Sequence, residues 1–450
     1  MNDSTNVFDI VIVGAGVGGI CAAIAASRLN CKVLLIEKMS EIGGTGVHAA
    51  VALVCKFRDH HGKCVNTGIH KELFPLAYQN TGLTFDEETV PSYDEQELKE
   101  IYHQLIRKEK SLTVWTDCEV DAVQVEDGNI RSLTIAGSKQ TRVYGRVFLD
   151  GTADGNLSAL AGAQFQKGRE KDGKMQTATV TFKLTGFDSS LFKVKDVTSW
   201  GCFFWLEETL RPYYLAMKQK TNSTNMRQGV LAFPYPDGKS FLFNSTAVSD
   251  VDPTIPGSVE RAFEVGKVQV YELVEAIKEH PAFRDAKIET IFTKLGVREG
   301  RRVIGDYMLT GEDCLRVRKF DDMVAACAYD VDVHDPDGNK NQQEYMTILP
   351  SPGYYHIPYR CLIAKGLSNL LLSSRCISGT FEAHASYRVM SGISAIGEAA
   401  GTAAALTVKS GFSDVRMVSA EEIRYILQSR GQFVEGPVKV THVVCNKMNI

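Results

Sequence analysis

Gly14, Gly16, Gly18 and Gly19 stand between the apolar run Ile10–Val13 and an alanine-rich stretch, and a second apolar run, Val33–Ile36, ends on Glu37. Strand, glycine turn, helix, strand and acid in that order is the arrangement that binds a dinucleotide. In such a site Gly14 makes the tight turn, Gly16 lets backbone approach a pyrophosphate and Gly19 lets the helix pack closely. The helix N-terminus offers unpaired N–H groups and a partial positive charge to the phosphates. Glu37 is placed to accept hydrogen bonds from ribose hydroxyls. A further glycine-rich loop, Gly43-Gly44-Thr45-Gly46, would lie against the same ligand.

The elements that must position these residues follow from patterning. The stretch 94–110 carries Leu98, Ile101, Tyr102, Leu105 and Ile106 at helical spacing. Short β segments follow over 112–115, 119–126, 130–136 and 140–149, joined by hairpin turns at Asp127-Gly-Asn129 and 137–139. The last runs into a second Gly/Asp turn, 150–155. From 176 to 355 the texture changes: strand-like 177–184, 230–233 and 240–244 alternate with a charged helix over 258–279. The chain then returns to the first idiom with Leu370-Leu-Leu372, a small-residue helix over 391–408 and a capping box at Ser419–Glu422. A nicotinamide dehydrogenase would continue as βαβαβ; a long excursion, a meander and a late return instead favour FAD. The fold class is therefore read as α/β, a Rossmann-like FAD-binding domain with a β-meander plus an inserted α+β substrate domain. The expected boundaries are 1–172 for the first part of the FAD-binding domain, 173–355 for the insert, 356–410 for the return segment and 411–450 for a C-terminal helix and tail.

Bulk properties narrow the setting. A net charge of −4 over 450 residues leaves no broad basic footprint for nucleic acid, so no nucleic-acid partner is expected. No apolar run reaches the length of a membrane span, and the first residues do not read as an export signal, so no membrane partner is expected. Eleven cysteines, several within apolar stretches, read as reduced thiols of a cytoplasmic protein. Cys55 and Cys64, near His60 and His61, match no zinc spacing, and no metal is expected.

Four stretches carry a family resemblance: GAGVGG with EKMSEIGGTG at 14–46, VFLDGTADGNLSALAGA at 147–163, GVREGRRVIGDYMLTGEDCL at 296–315 with YDVDVHDPDG at 329–338, and HIPYRCLIAKGLSNLLLSSRCISGTFEAHASYRVMSGISAIGEAAGTAAAL at 356–406. The chain resembles the bacterial FAD-dependent oxidoreductases of the glutathione-reductase-like superfamily, in the branch of the succinate dehydrogenase and fumarate reductase flavoproteins. The resemblance implies that Gly14, Gly16, Gly18 and Gly19 hold the pyrophosphate, and Glu37, followed by Lys38, the adenosine ribose. Gly43, Gly44 and Thr45 would line the flavin side of the phosphates, Val120 would meet the adenine through its backbone, and Gly151 and Thr152 belong to a second FAD turn. Arg375 falls near the ribityl chain, where many relatives outside this family carry an acid. Met390, Ser391, Gly392 and Ile393 would open a helix at the pyrimidine edge of the flavin, where backbone N–H groups stabilise a reduced ring. His48 follows the Gly-Gly-Thr loop, roughly where succinate dehydrogenase-type flavoproteins bond a histidine covalently to the flavin, so a covalent link through His48 is one expectation.

With FAD supplying the electron transfer, the chain must supply binding and proton movement. His384, just before the proposed flavin-facing helix, is the first candidate for acid/base work; His356, Arg388, Tyr354, Tyr355 and Arg360, all at or after the point where the insert rejoins, are the others. Arg298 and Arg302 could bind an anionic small-molecule substrate and, if the stretch is a strand, share one face while Arg301 points away. Ion pairs to Glu299, Asp306 or Glu312 are the alternative use of these arginines. The expected function is hydride transfer between flavin N5 and a small organic substrate. A nicotinamide-linked dehydrogenase, or a flavin-binding protein with a non-oxidative or RNA-modifying role, stays open.

Overall fold

The computed structural model describes residues 6–51, 53–79, 88–338, 346–436 and 438. Strand β1 (Val7–Val13) lies at the middle of the main sheet, and Ile10, Val11 and Ile12 are fully buried, as a strand covered on both faces requires. Helix α1 (Val17–Arg28) leads to β2 (Val33–Ile36), which pairs parallel to β1 from Ile10–Val33 to Val13–Ile36. Strand β3 (Leu112–Trp115) extends the parallel set beyond β2. The meander β4 (Cys118–Glu126), β5 (Asn129–Gly137) and β6 (Thr141–Asp150) is antiparallel within itself, and β6 runs parallel to β1. The order is β3-β2-β1-β6-β5-β4, and the return strand Leu370–Leu372 pairs parallel with Phe148–Asp150 of β6. The chain thus leaves this sheet after β6 and re-enters it late.

Small residues fix the layer above the sheet. Every residue of α1 from Gly18 to Ser27 is buried, because the helix Met390–Ser410 covers its outer side. A β-carbon on Gly397 would lie 2.2 Å from the Gly18 carbonyl oxygen, and one on Gly401 equally close to that of Ala22. The small-residue stripe of the late helix serves helix–helix approach.

A second, antiparallel sheet runs Lys287–Ile291, Phe182–Thr185, Phe241–Phe243, Ala232–Pro234. It has an apolar cluster of its own, rich in phenylalanine, with the Phe182 and Phe243 rings stacked at 4.9 Å. The helices Ser258–Ile277 and Trp200–Thr221 pack together beside it. The second helix escapes the sequence reading, since its apolar residues show no single face and Pro212 sits inside it. The stretch 298–301 is irregular, and only Arg302–Val303 forms a short strand, so the alternation expected for the arginines does not apply. Among the described residues no single helix is long and apolar enough to cross a membrane.

Candidate active site

Two turns meet at the C-terminal ends of β1 and β6. Gly14 donates to the Ile36 carbonyl at 2.7 Å, and Gly151 donates to the Val13 carbonyl at 2.7 Å. Gly14 has φ +97°, and a β-carbon there would lie 2.6 Å from the Gly151 carbonyl carbon, so both the backbone and the space demand glycine. Gly16 differs. Its φ of −75° and ψ of 179° suit any residue, and the nearest atom to a β-carbon would be the Gly44 Cα at 3.9 Å. Among the described residues nothing requires glycine at 16. The open space it leaves faces the start of α1, where no side chain caps the N–H groups and no acid stands in the first turn. That is the cradle a pyrophosphate needs.

The acid at the end of β2 is already aimed. Glu37 accepts from the Ala15 N–H at 2.8 Å and from the Met39 N–H at 3.0 Å, which orients a carboxylate that retains lone pairs for ribose hydroxyls. Lys38 points to solvent. The Glu37 carbonyl accepts from Cys118 at 3.0 Å, which brings the start of β4, and Val120 two residues on, to this end of the cradle. Strand β4 is an edge of the sheet, so one side of its backbone is available.

The remaining segments close around the same space. Gly43, at φ +118°, donates to the Ala15 carbonyl at 2.8 Å, and Gly44 lies against Gly16. Thr45 is exposed. A β-carbon on Gly46 would sit 3.3 Å from Met390 Sδ, and one on Gly18 would sit 1.9 Å from the Ser373 carbonyl oxygen and 2.9 Å from Ile393 Cγ2. Ser391 Oγ donates to the Cys55 carbonyl at 2.8 Å, and no side chain caps the helix that starts at Met390. Asp150, fully buried, accepts from the N–H and hydroxyl of both Thr152 and Ser158 and so builds the second turn; burial raises its pKa. The sequence reading missed this role of Asp150. The stretch expected as a glycine-rich loop forms a short helix, Gly44–His48, and from its end His48 Nε2–H donates to the Glu41 carbonyl at 2.9 Å.

The expected catalytic residues divide. Arg302 is buried in an ion pair with Glu299 and donates to the carbonyls of Gly168 and Gly379, so it is a structural tie. Arg375 turns to Asp154 at 2.9 Å and to the carbonyls of Ala153 and Val297, binding the second turn to the 297–302 loop. His356 is engaged on both nitrogens: Nδ1 accepts from Phe320 N–H, and Nε2 donates to Glu435, far along the chain. Its partners are not those of the other candidates, because its strand pairs with Met323–Cys327 and faces the C-terminal segment.

His384 is wholly buried, and among the described residues neither ring nitrogen has a hydrogen-bond partner. Burial, and then the charges of Arg302, Arg375 and Arg388, hold its pKa well below the usual imidazole value, so the ring is neutral. Arg388 donates to the backbone and carboxylate oxygens of Asp332 at 3.3 and 3.4 Å. Asp332 also accepts from Tyr329 OH at 2.9 Å and His334 Nε2 at 3.1 Å. Burial alone would raise this carboxyl; the surrounding His334, Arg388 and Tyr329 reverse the sign and hold it well below the usual carboxylate range. Burial and the nearby Arg298 push His334 down to about 3, so it donates as a neutral ring. Arg298, buried, donates to the Thr177 carbonyl at 2.6 Å and Asn244 Oδ1 at 3.2 Å. Tyr329 and Asp332 were given no role from sequence, although both lie in the 329–338 stretch that carries the family resemblance. Among the described residues no group of three or more His, Cys, Asp or Glu could hold a metal.

Comparison with known proteins places these features. The family described as FAD dependent oxidoreductase matches residues 9–427. A tRNA uridine 5-carboxymethylaminomethyl modification enzyme MnmG from Streptococcus pneumoniae (strain Hungary19A-6) is 30% identical over 163 residues, 33% of this chain and 24% of that protein. The chain thus spans about a quarter of the length of the curated relatives it matches. Among solved structures, the p-nitrophenol 4-monooxygenase PnpA from Pseudomonas putida DLL-E4 aligns over 94% of this chain and 87% of its own, with 10% identity and a TM-score of 0.46. The myxobacterial chondrochloren halogenase CndH aligns over 95% and 80%, with 11% identity and a TM-score of 0.46.

Proposed function

Since the chain belongs to the FAD dependent oxidoreductase family and uses FAD, we propose that it moves a hydride between the flavin and a small organic substrate held at the Tyr329–Asp332–His334–Arg388 network. The observation that carries this reading is the convergence of the Gly14–Gly19 turn, the helix start at 43–46, the 150–152 turn and the helix start at 390–393 on one space, with that polar network at the far end. The nicotinamide-linked alternative gives way to FAD.

Bound FAD supplies two-electron chemistry at N5. In this reading Gly14, Gly16, Gly18 and Gly19 with the start of α1 hold the pyrophosphate. Glu37 takes the adenosine ribose and the Val120 backbone the adenine. Gly43, Gly44, Gly151 and Thr152 flank the middle of the cofactor, and the N–H groups of Met390, Ser391, Gly392 and Ile393 face the flavin's pyrimidine edge. Asp332 fixes Tyr329, His334 and Arg388 against one another. Tyr329, whose hydroxyl burial and the Asp332 charge keep protonated, can give a proton to a substrate as that substrate takes up a hydride from the reduced flavin, while Arg388 orients the substrate. His384, neutral and buried behind Arg388, is a second proton-handling group.

Anaerobic mixing of the holoprotein with a panel of alcohols, amines and activated alkenes (the last after prior reduction of the flavin) tests the reading. A substrate that bleaches or restores the flavin absorbance, with the rate lowered at least tenfold in Tyr329→Phe, is expected. Bleaching unaffected by Tyr329→Phe or Arg388→Gln would move the reaction elsewhere. The similarity to the MnmG enzymes favours a second reading, a tRNA partner. Retention of bulk tRNA on the immobilised protein at moderate salt would favour it; its absence together with small-molecule turnover would remove it.

A further inference from the structure

The buried charges beside the polar network do not balance. Arg298 is 6% exposed, and among the described residues no carboxylate lies within ion-pair distance of it; its acceptors are a carbonyl and an amide. Two further guanidinium groups, those of Arg227 and Arg388, act on it, against one carboxylate, Asp332. That carboxylate already serves Arg388, His334 and Tyr329. The next carboxylates outward are committed as well: Glu207 faces Arg227 and Arg211, and Asp335 pairs with Arg169 at 3.3 Å. Arg388 Nε is buried and has no acceptor among the described residues. A buried excess of positive charge is costly unless an anion completes it.

We propose that the substrate carries a carboxylate and that Arg298, with Arg388 opposite, is the residue that reads it. This assignment rests on the flavin-oxidoreductase reading above and supplies the substrate class it leaves open. Both terminal nitrogens of Arg298 point at neutral acceptors, the Thr177 carbonyl and the Asn244 amide oxygen, and each keeps a further N–H. A planar guanidinium fork matches the two oxygens of a flat carboxylate better than a tetrahedral phosphoryl group. Burial and the neighbouring guanidinium groups hold the Arg298 pKa below its ordinary value, the direction expected for a cation that lacks its counterion.

The test titrates FAD-loaded protein with acetate, malonate and benzoate, with the matching amides, and with inorganic phosphate, reading both the melting temperature and the flavin difference spectrum. At least one carboxylate should raise the melting temperature and perturb the flavin saturably, while the amides and phosphate do neither. Arg298→Gln should weaken that carboxylate roughly 10- to 100-fold. Arg298→Lys, which keeps the charge but not the fork, should weaken it less, and it carries the test if the glutamine variant does not fold. Holoprotein that ignores every carboxylate, prefers phosphate, or binds a carboxylate equally well after Arg298 is changed would overturn the proposal. A protein that holds no FAD yet keeps an Arg298-dependent carboxylate response would sink the flavin reading alone.

Discussion

Gly16→Ala separates what the fold needs from what the cofactor needs. The position has ordinary extended backbone angles, and the added β-carbon would meet nothing closer than the Gly44 Cα at 3.9 Å. The stability of the cofactor-free protein should therefore stay within about 0.5 kcal/mol of the parent. The same β-carbon enters the space that a pyrophosphate must share with the first N–H groups of α1. Losing two charge-assisted hydrogen bonds of about 1.5–3 kcal/mol each would cost roughly 3–6 kcal/mol, or ~10²- to 10⁴-fold in FAD affinity. Gly19→Ala is the contrast: its β-carbon would lie 1.9 Å from the Gly14 carbonyl oxygen, so the fold itself should suffer. Urea unfolding of the apoproteins and fluorescence titration with FAD measure the two quantities separately. A Gly16→Ala protein that binds FAD like the parent, or that loses stability as Gly19→Ala does, would refute the reasoning.

Three other outcomes follow from particular groups. Burial pushes Glu398, which accepts from the Ile69 N–H at 3.0 Å and the Gln432 amide at 3.2 Å, up to about 8 from its ordinary 4.5. The folded chain then keeps a proton that the unfolded chain releases. Stability should fall as pH rises from about 4.5 to 8, by up to ~1.4 kcal/mol per pH unit, and urea midpoints of Glu398→Gln should lose that slope; an unchanged slope would assign the pH dependence elsewhere. Glu299→Gln leaves the Arg302 guanidinium buried without its counterion and should cost about 3 kcal/mol or more in unfolding free energy; a loss under ~1 kcal/mol would show the pair is not a structural tie. Because His48 is engaged by the Glu41 carbonyl, acid precipitation should leave FAD in the supernatant, and a yellow pellet would show a covalent link instead.

How far the sequence could be read depended on how local the determining physics is. The Gly14–Glu37 unit, the helix Glu95–Lys108 capped by Asp94, and the capping box at Ser419 and Glu422 are each set by neighbours in sequence, and each forms where the pattern puts it. Spacing alone left two uses open for the arginines, substrate binding or ion pairs, and for Arg302 the structure shows the ion pair. Arg302 meets Glu299 three residues away because the chain there is irregular, and Arg375 reaches back to Asp154 across the sheet. His356 was a candidate because it lies where the chain rejoins the first domain, and its strand carries it to Glu435. Asp332 gathers Arg388 from the turn between two helices, 56 positions later, a contact that no local pattern encodes.

Hydrogen exchange of the apoprotein with and without FAD tests the central claim most directly. One extended cofactor should slow exchange together in residues 14–19, 43–48, 150–155 and 390–393, four segments distant in sequence. Protection confined to a single segment, or absent from the helix start at Met390, would contradict a cradle built jointly by the first and the returning parts of the chain.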